Sequence, residues 1–167
     1  MNIRDILTIY NYNYWATRRI LAASAQVSRE QFAVSTGHSF GSLRGTLVHT
    51  LDAECAWRML LQHDTLAYFD AMKEENFPTL DVLEQRWQEE EHLMRDYLAH
   101  LTEEDLTDTV RYTTDEGDKR ERVLWHCLFH LVNHGTQHRS EAAEILTGYS
   151  HSPGGLDFTA FLNEQQG

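Results

Sequence analysis

Residues 122–148 read RVLWHCLFHLVNHGTQHRSEAAEILTG, and this stretch decides the fold. Leu124, Leu128, Leu131, Ala142 and Ile145 form an apolar stripe at the helical period. The pattern predicts a helix from about Arg122 to Thr147, with Gly148 in the C′ position where a chain leaves a helix. A helix of that length with one apolar side calls for other helices to cover it.

The same stretch carries His126, His130, His134 and His138, one every four residues. They cannot share a face, because each four-residue step overshoots a full turn by roughly 40°. Measured from the centre of the apolar stripe, His138 lies within roughly 40° and His134 within roughly 80°. His130 is borderline, and His126 turns outward. Two inward imidazoles one turn apart can grip one ion, and imidazole suits Zn, Ni, Cu or Fe. The plain alternative is a pair of histidines satisfied by ordinary hydrogen bonds. Burying two imidazoles costs desolvation unless something pairs with them, so on this helix alone metal and ordinary hydrogen bonding stand level. Cys127 falls on the His134 side, but seven residues is about 10.5 Å of rise, so it reads as a buried thiol.

A transition-metal site needs a third ligand from elsewhere. His49 is deep inside another helical stretch, on the flank of its apolar stripe. His38 precedes that stretch, His63 ends it, and His92 and His100 lie on strongly charged segments. Rotation does not choose among them.

The rest of the chain is helical in pattern, with only 2 prolines and 9 glycines as punctuation. A first helix is predicted over about Ile3 to Gln26, with Ile6, Ile9, Tyr10 and Leu21 inward. Ser28 and Gln31 have capping-box spacing for a short extra turn. A second helix runs from about Ser39 to His63 through Leu43, Leu47, Leu51, Trp57 and Leu61. A third starts after Thr79, a plausible N-cap, and continues through Leu83, Trp87 and Leu98 to Leu101. Residues 109–113 and 119–122, around a turn at Asp115 to Asp118, make a small hairpin. Leu156 to Leu162 forms a last short helix or turn. The connection from Leu66 to Phe77, with Tyr68 and Phe69, is expected to pack over one end. The reading is an all-α four-helix bundle with a hairpin before the last long helix, one domain over residues 1–167.

Composition limits the function. The 167 residues are 41% hydrophobic, enough for a proper core. Acidic residues outnumber basic ones 26 to 14, a formal charge of −12, which repels phosphate backbones; no nucleic-acid partner is expected. No apolar run suits a membrane span, and Met1 to Asp5 lacks a signal-peptide pattern, so a cytoplasmic protein without membrane attachment is expected. Cys55 and Cys127 imply no disulfide framework. Glu89-Glu90-Glu91-His92 contains one Glu-x-x-His match to carboxylate-bridged di-iron bundles, but it has no partner motif and reads as a solvated acidic face. His-Glu-x-x-His, a phosphate loop and a nucleophile elbow are absent.

Longer stretches resemble a known family. Tyr14-Trp15-Ala16-Thr17-Arg18-Arg19, then Gly41-Ser42-Leu43-Arg44-Gly45-Thr46-Leu47-Val48-His49, then Glu54 and Trp57, are similar to the DinB family of bacterial damage-inducible proteins. The strongest match is Leu128 to Arg139, and the tail from Ser152 to Phe158 also fits. The resemblance implies a DinB/YfiT-like four-helix bundle, usually a homodimer, with a three-histidine metal site. The matching ligand positions are His49, His134 and His138. Relatives have been linked to Zn or Ni, and some are thiol-dependent transferases or isomerases using low-molecular-weight thiols. Two departures stand out: Glu141 where the family often has Gln, and Thr17 where it has Asn.

Three histidines leave a coordination position open, the catalytic rather than the structural arrangement of zinc. The expectation is a divalent-metal enzyme, a thiol-dependent transferase or hydrolase, with a low-molecular-weight thiol as cosubstrate. The alternative is a non-enzymatic metal-binding stress protein. Asp52 and Glu141, each three residues beyond a ligand, and His130 are the candidate outer-shell groups. A site serving structure alone would be closed by a fourth protein ligand, with His130 or Glu141 the first suspects.

Overall fold

The computed structural model describes residues 1–64, 72–114 and 116–165. The elements in order are α1 (Ile3–Ser24), α2 (Arg29–Ala33), α3 (Leu43–His63), α4 (Leu80–Ala99), β1 (Thr109–Thr113), β2 (Lys119–Val123), α5 (Leu124–Gly148) and α6 (Phe158–Gln165). The four long helices close a bundle in which α5 packs on α1 and α3, and α4 packs on the same two. Helices α4 and α5 therefore stand diagonally, and the chain between them carries the antiparallel hairpin, registered Thr109 to Val123 and Thr113 to Lys119. No described helix is long and apolar enough to cross a membrane.

Side-chain caps set several boundaries. Asn2 and Asp5 form a capping box at the start of α1, and Ser28 and Gln31 form the expected one at α2. The second long helix begins later than its periodicity predicts. Ser42, not Ser39, accepts the Gly45 N–H at 2.9 Å, and residues 34–42 form a loop instead. Thr79 occupies the N-cap of α4 without a capping bond from its side chain.

The end of α5 also departs from expectation. Gly148 stays helical, and the left-handed residue is Ser150, at φ 65°. Ser150 donates to the Thr147 carbonyl and His151 to that of Leu146, the bond pattern of a Schellman motif. Of the 66–77 connection, Tyr68 and Phe69 lie outside the described residues, as does Asp115 of the hairpin turn. Phe77, at the connection's end, is buried.

The core has two apolar parts. One gathers Ile20, Leu43, Leu47, Leu51, Leu83, Trp87, Ala142 and Ile145. The other gathers Ile6, Tyr10, Tyr14, Met94, Leu98, Leu128 and Leu131. Seven buried polar residues of the four long helices fall between the two parts along the chain: Asn13 and Thr17 on α1, Glu54 and Arg58 on α3, Glu90 on α4, and His138 and Arg139 on α5; Ser24, Thr46 and Thr50 are buried beside the first part.

Candidate metal centre

Three histidines from two helices meet at this level. His49 Nε2 lies 3.3 Å from His134 Nε2, which lies 3.1 Å from His138 Nε2. His134 and His138 are one turn apart on α5, as their spacing requires. His49 faces them because α3 packs directly against α5. Rotation ordered the α5 histidines correctly: His138 is buried, His134 is intermediate, and His130 and His126 are exposed.

The loop before α3 holds two of these rings in place. Thr36 N–H donates to the Gly41 carbonyl at 2.7 Å and Gly41 N–H to that of His38 at 2.9 Å, closing the loop on itself. This presents Phe40, which stacks on His49 with centroids 3.7 Å apart and meets the edge of His138 at 5.1 Å. The neighbouring Ser39 hydroxyl donates to Glu141 Oε1 at 3.1 Å, and Glu141 Oε2 is 2.7 Å from His138 Nδ1.

A carboxylate only accepts, so that contact assigns the His138 proton to Nδ1 and leaves the Nε2 lone pair facing the cluster. The bond to His138, seconded by Ser39, holds the Glu141 carboxyl below its ordinary range despite the opposing effect of burial. Burial, and then the cost of placing a second positive charge beside a protonated His138, push His49 and His134 down to about 4. Both rings are therefore neutral near pH 7, as metal ligands must be.

The donor set fits a divalent transition metal. Three imidazole nitrogens at about 2.0–2.1 Å from one tetrahedral ion would stand about 3.3 Å apart. The spacings here are 3.1 and 3.3 Å, and all three atoms lie within 4.8 Å of one another. His134 Nδ1 is buried without a hydrogen-bond partner among the described residues, so the contacts of this ring are made through Nε2. Among the described residues, no carboxylate, thiol or further imidazole joins the group.

Glu141 turns to His138 Nδ1 and is an outer partner. His130 does not close the group: its ring sits 5.3 Å from Trp57 and 5.9 Å from His134, centroid to centroid. Asp52 is half-buried, which raises its carboxyl above the ordinary range, and the described residues give it no hydrogen bond to His49. His38 approaches Glu144 at 3.6 Å, outside the cluster. Cys127 is a buried thiol, as expected.

A buried polar network adjoins the cluster. Tyr14 donates to Glu54 Oε1, Asn13 Nδ2 donates to Glu54 Oε2 at 3.5 Å, and Arg139 donates to Asn13 Oδ1 at 2.5 Å. Arg139 also reaches Thr136 at 3.0 Å and Thr17 at 3.4 Å. Gly135 makes room for this: a Cβ there would stand 2.8 Å from Arg139 Nη1 and 3.1 Å from Asn13 Oδ1. Burial, with help from Glu90, drives Glu54 up to about 7 against the pull of Tyr14, Arg139 and Asn13.

One sequence expectation is overturned. Glu90, read as part of a solvated acidic face, is fully buried. It accepts from Arg58 Nε, from Arg58 Nη2 at 3.0 Å, from Arg86 at 3.1 Å and from the Cys55 thiol at 3.1 Å. Those bonds hold its carboxyl below the ordinary range although burial acts the other way. Its neighbours Glu89 and His92 are exposed, as the charge run suggested. The missed signal was position: Leu83, Trp87, Glu90, Met94 and Leu98 fall on one helical stripe.

Comparison with known proteins places the chain in a family. Protein DinB of Bacillus subtilis (strain 168) is 23% identical over 169 residues, covering 95% of either chain. A model of the DinB family matches residues 1–167, the whole length. The chain belongs to the DinB family.

Proposed function

We propose that His49, His134 and His138 bind one divalent transition metal, zinc or nickel, and that the protein is a metal-dependent enzyme of the thiol-transferase or hydrolase kind. The observation that carries this reading is the convergence of three imidazole Nε2 atoms with no fourth protein ligand among the described residues. A site serving structure alone is closed by a fourth ligand, and an open one leaves room for a reactant. Glu141, the residue best placed to close it, is engaged by His138 Nδ1 and Ser39 instead.

The metal, when bound, would supply Lewis acidity and lower the pKa of a coordinated water or thiol. The protein's own part is to hold three neutral imidazoles in a fixed array. Glu141 fixes the tautomer of His138, and Phe40 fixes the plane of His49. A low-molecular-weight thiol is the cosubstrate that fits this reading, and the protein acts as a homodimer in solution.

The test is a turnover screen of the metal-loaded protein. Small electrophiles are offered with low-molecular-weight thiols, and activated esters and amides without them. The proposal expects thiol-dependent transfer or hydrolysis in wild type and loss of at least a hundredfold in His49→Ala and His138→Ala. Turnover that survives in both variants would refute it.

A further inference from the structure

Next to the histidine cluster, between the C-terminal half of α3, the hairpin and the N-terminal half of α5, lies a cavity of about 390 Å³. Trp57, Tyr112, Arg122, His126, Cys127 and His130 line it. The volume falls in the range of small-molecule sites, and the lining combines two large aromatic faces with a guanidinium, two imidazoles and a thiol.

Its wall is built from contacts that run to the metal centre. Trp57 meets Tyr112 edge-on at 5.5 Å and His130 at 5.3 Å, and His130 stands 5.9 Å from His134. The single cation at this wall is Arg122, at the end of β2. Among the described residues Arg122 donates to the Glu121 carbonyl at 2.8 Å and pairs with no carboxylate. That differs from Arg58 and Arg95, which both hold carboxylates. Burial pushes the Cys127 thiol in the cavity lining up to about 11, with Arg122 acting the other way. A guanidinium with donors to spare beside two large aromatic faces is a receptor for an organic anion.

We propose that this cavity binds a small organic acid, its carboxylate on Arg122 and its apolar or aromatic body against Trp57 and Tyr112. His130 forms the wall on the side of His134, so a ligand seated here is directed toward the three-histidine cluster. A role in turnover rests on the proposed metal centre, whereas binding itself does not. The strongly acidic protein would gain selectivity from this arrangement, since a lone anion meets repulsion over most of the surface.

Isothermal titration calorimetry of the full chain tests it with three probes: 3-phenylpropionate, its neutral amide and inorganic phosphate. Wild type should bind the carboxylate at least tenfold more tightly than the amide or phosphate. Arg122→Gln should remove that preference, and Trp57→Ala should weaken the carboxylate at least tenfold. Circular dichroism shows that each variant is folded. Equal binding of acid and amide, or no binding of the acid, would overturn the proposal. So would an unchanged preference in Arg122→Gln. Phosphate matching the carboxylate would reduce the site to an anion contact and also refute it. His138→Ala, titrated in parallel, should keep the acid site while losing metal. Wild type that binds the acid but takes up no Zn²⁺ or Ni²⁺ would count against the metal centre alone.

Discussion

Replacing Glu54 with Gln isolates the electrostatic cost of the polar layer inside the bundle. Glu54 is buried, and its carboxyl is driven from about 4.5 to about 7, chiefly by loss of solvent. Between those two values the folded chain holds a proton that the unfolded chain has released. Stability from this group is thus fully present below about pH 4.5 and is lost as pH rises toward 7. At about 1.4 kcal/mol for each tenfold change in proton affinity, the difference amounts to about 3 kcal/mol. Gln preserves an acceptor for Tyr14 and a similar volume, but it does not titrate. Urea unfolding of both proteins, with chelator present and in steps from pH 4.5 to 8, reads the effect. The Gln variant should gain on wild type by about 3 kcal/mol across that window, most steeply between pH 5 and 7. A difference that does not change with pH would refute the assignment of Glu54 as a group proton-loaded by folding.

Glu141→Ala should weaken metal affinity about 10- to 100-fold, because His138 loses the acceptor that fixes its tautomer. Glu141→Gln, which still offers a carbonyl oxygen to His138 Nδ1, should recover most of it; competition with a chromogenic chelator measures both. Gly45→Ala should be poorly folded. An added Cβ would lie 2.0 Å from the Phe40 carbonyl oxygen, and the backbone shift that relieves this displaces the ring stacked on His49. Thermal denaturation and metal content should therefore both fall in that variant, with a loss of stability above about 2 kcal/mol.

The bundle was legible because its apolar stripes are long and its breakers few. The α5 histidines could be sorted by rotation alone, since 3.6 residues per turn separates His138 from His126 by about a third of a circle. His49 could not be selected that way. It sits on the flank of its stripe, and its role follows from how α3 faces α5, a tertiary fact. Ser39 and Phe40 were hidden for another reason: periodicity ran the helix through them, whereas the Ser42 cap makes them a loop.

The buried acids show where a local reading of charge fails. Glu90 reads as surface because Glu89 and Glu91 flank it, yet it occupies a stripe position between Trp87 and Met94. Glu54 likewise follows Leu47 and Leu51 at helical spacing. A charge at a core position is tolerated only when other elements supply donors, as Arg58 does for Glu90 and Tyr14 for Glu54. Such partners are 32 and 40 residues away in the chain, beyond the reach of any local pattern.

Three imidazoles forming one open metal site should hold an ion in the protein as purified. Elemental analysis of protein purified without an affinity tag or added metal tests it most directly. Wild type should carry close to one zinc or nickel per chain, and both His49→Ala and His138→Ala should lose that metal with the fold intact. Metal retained by both variants, or none in wild type even after loading with Zn²⁺ or Ni²⁺, would contradict it.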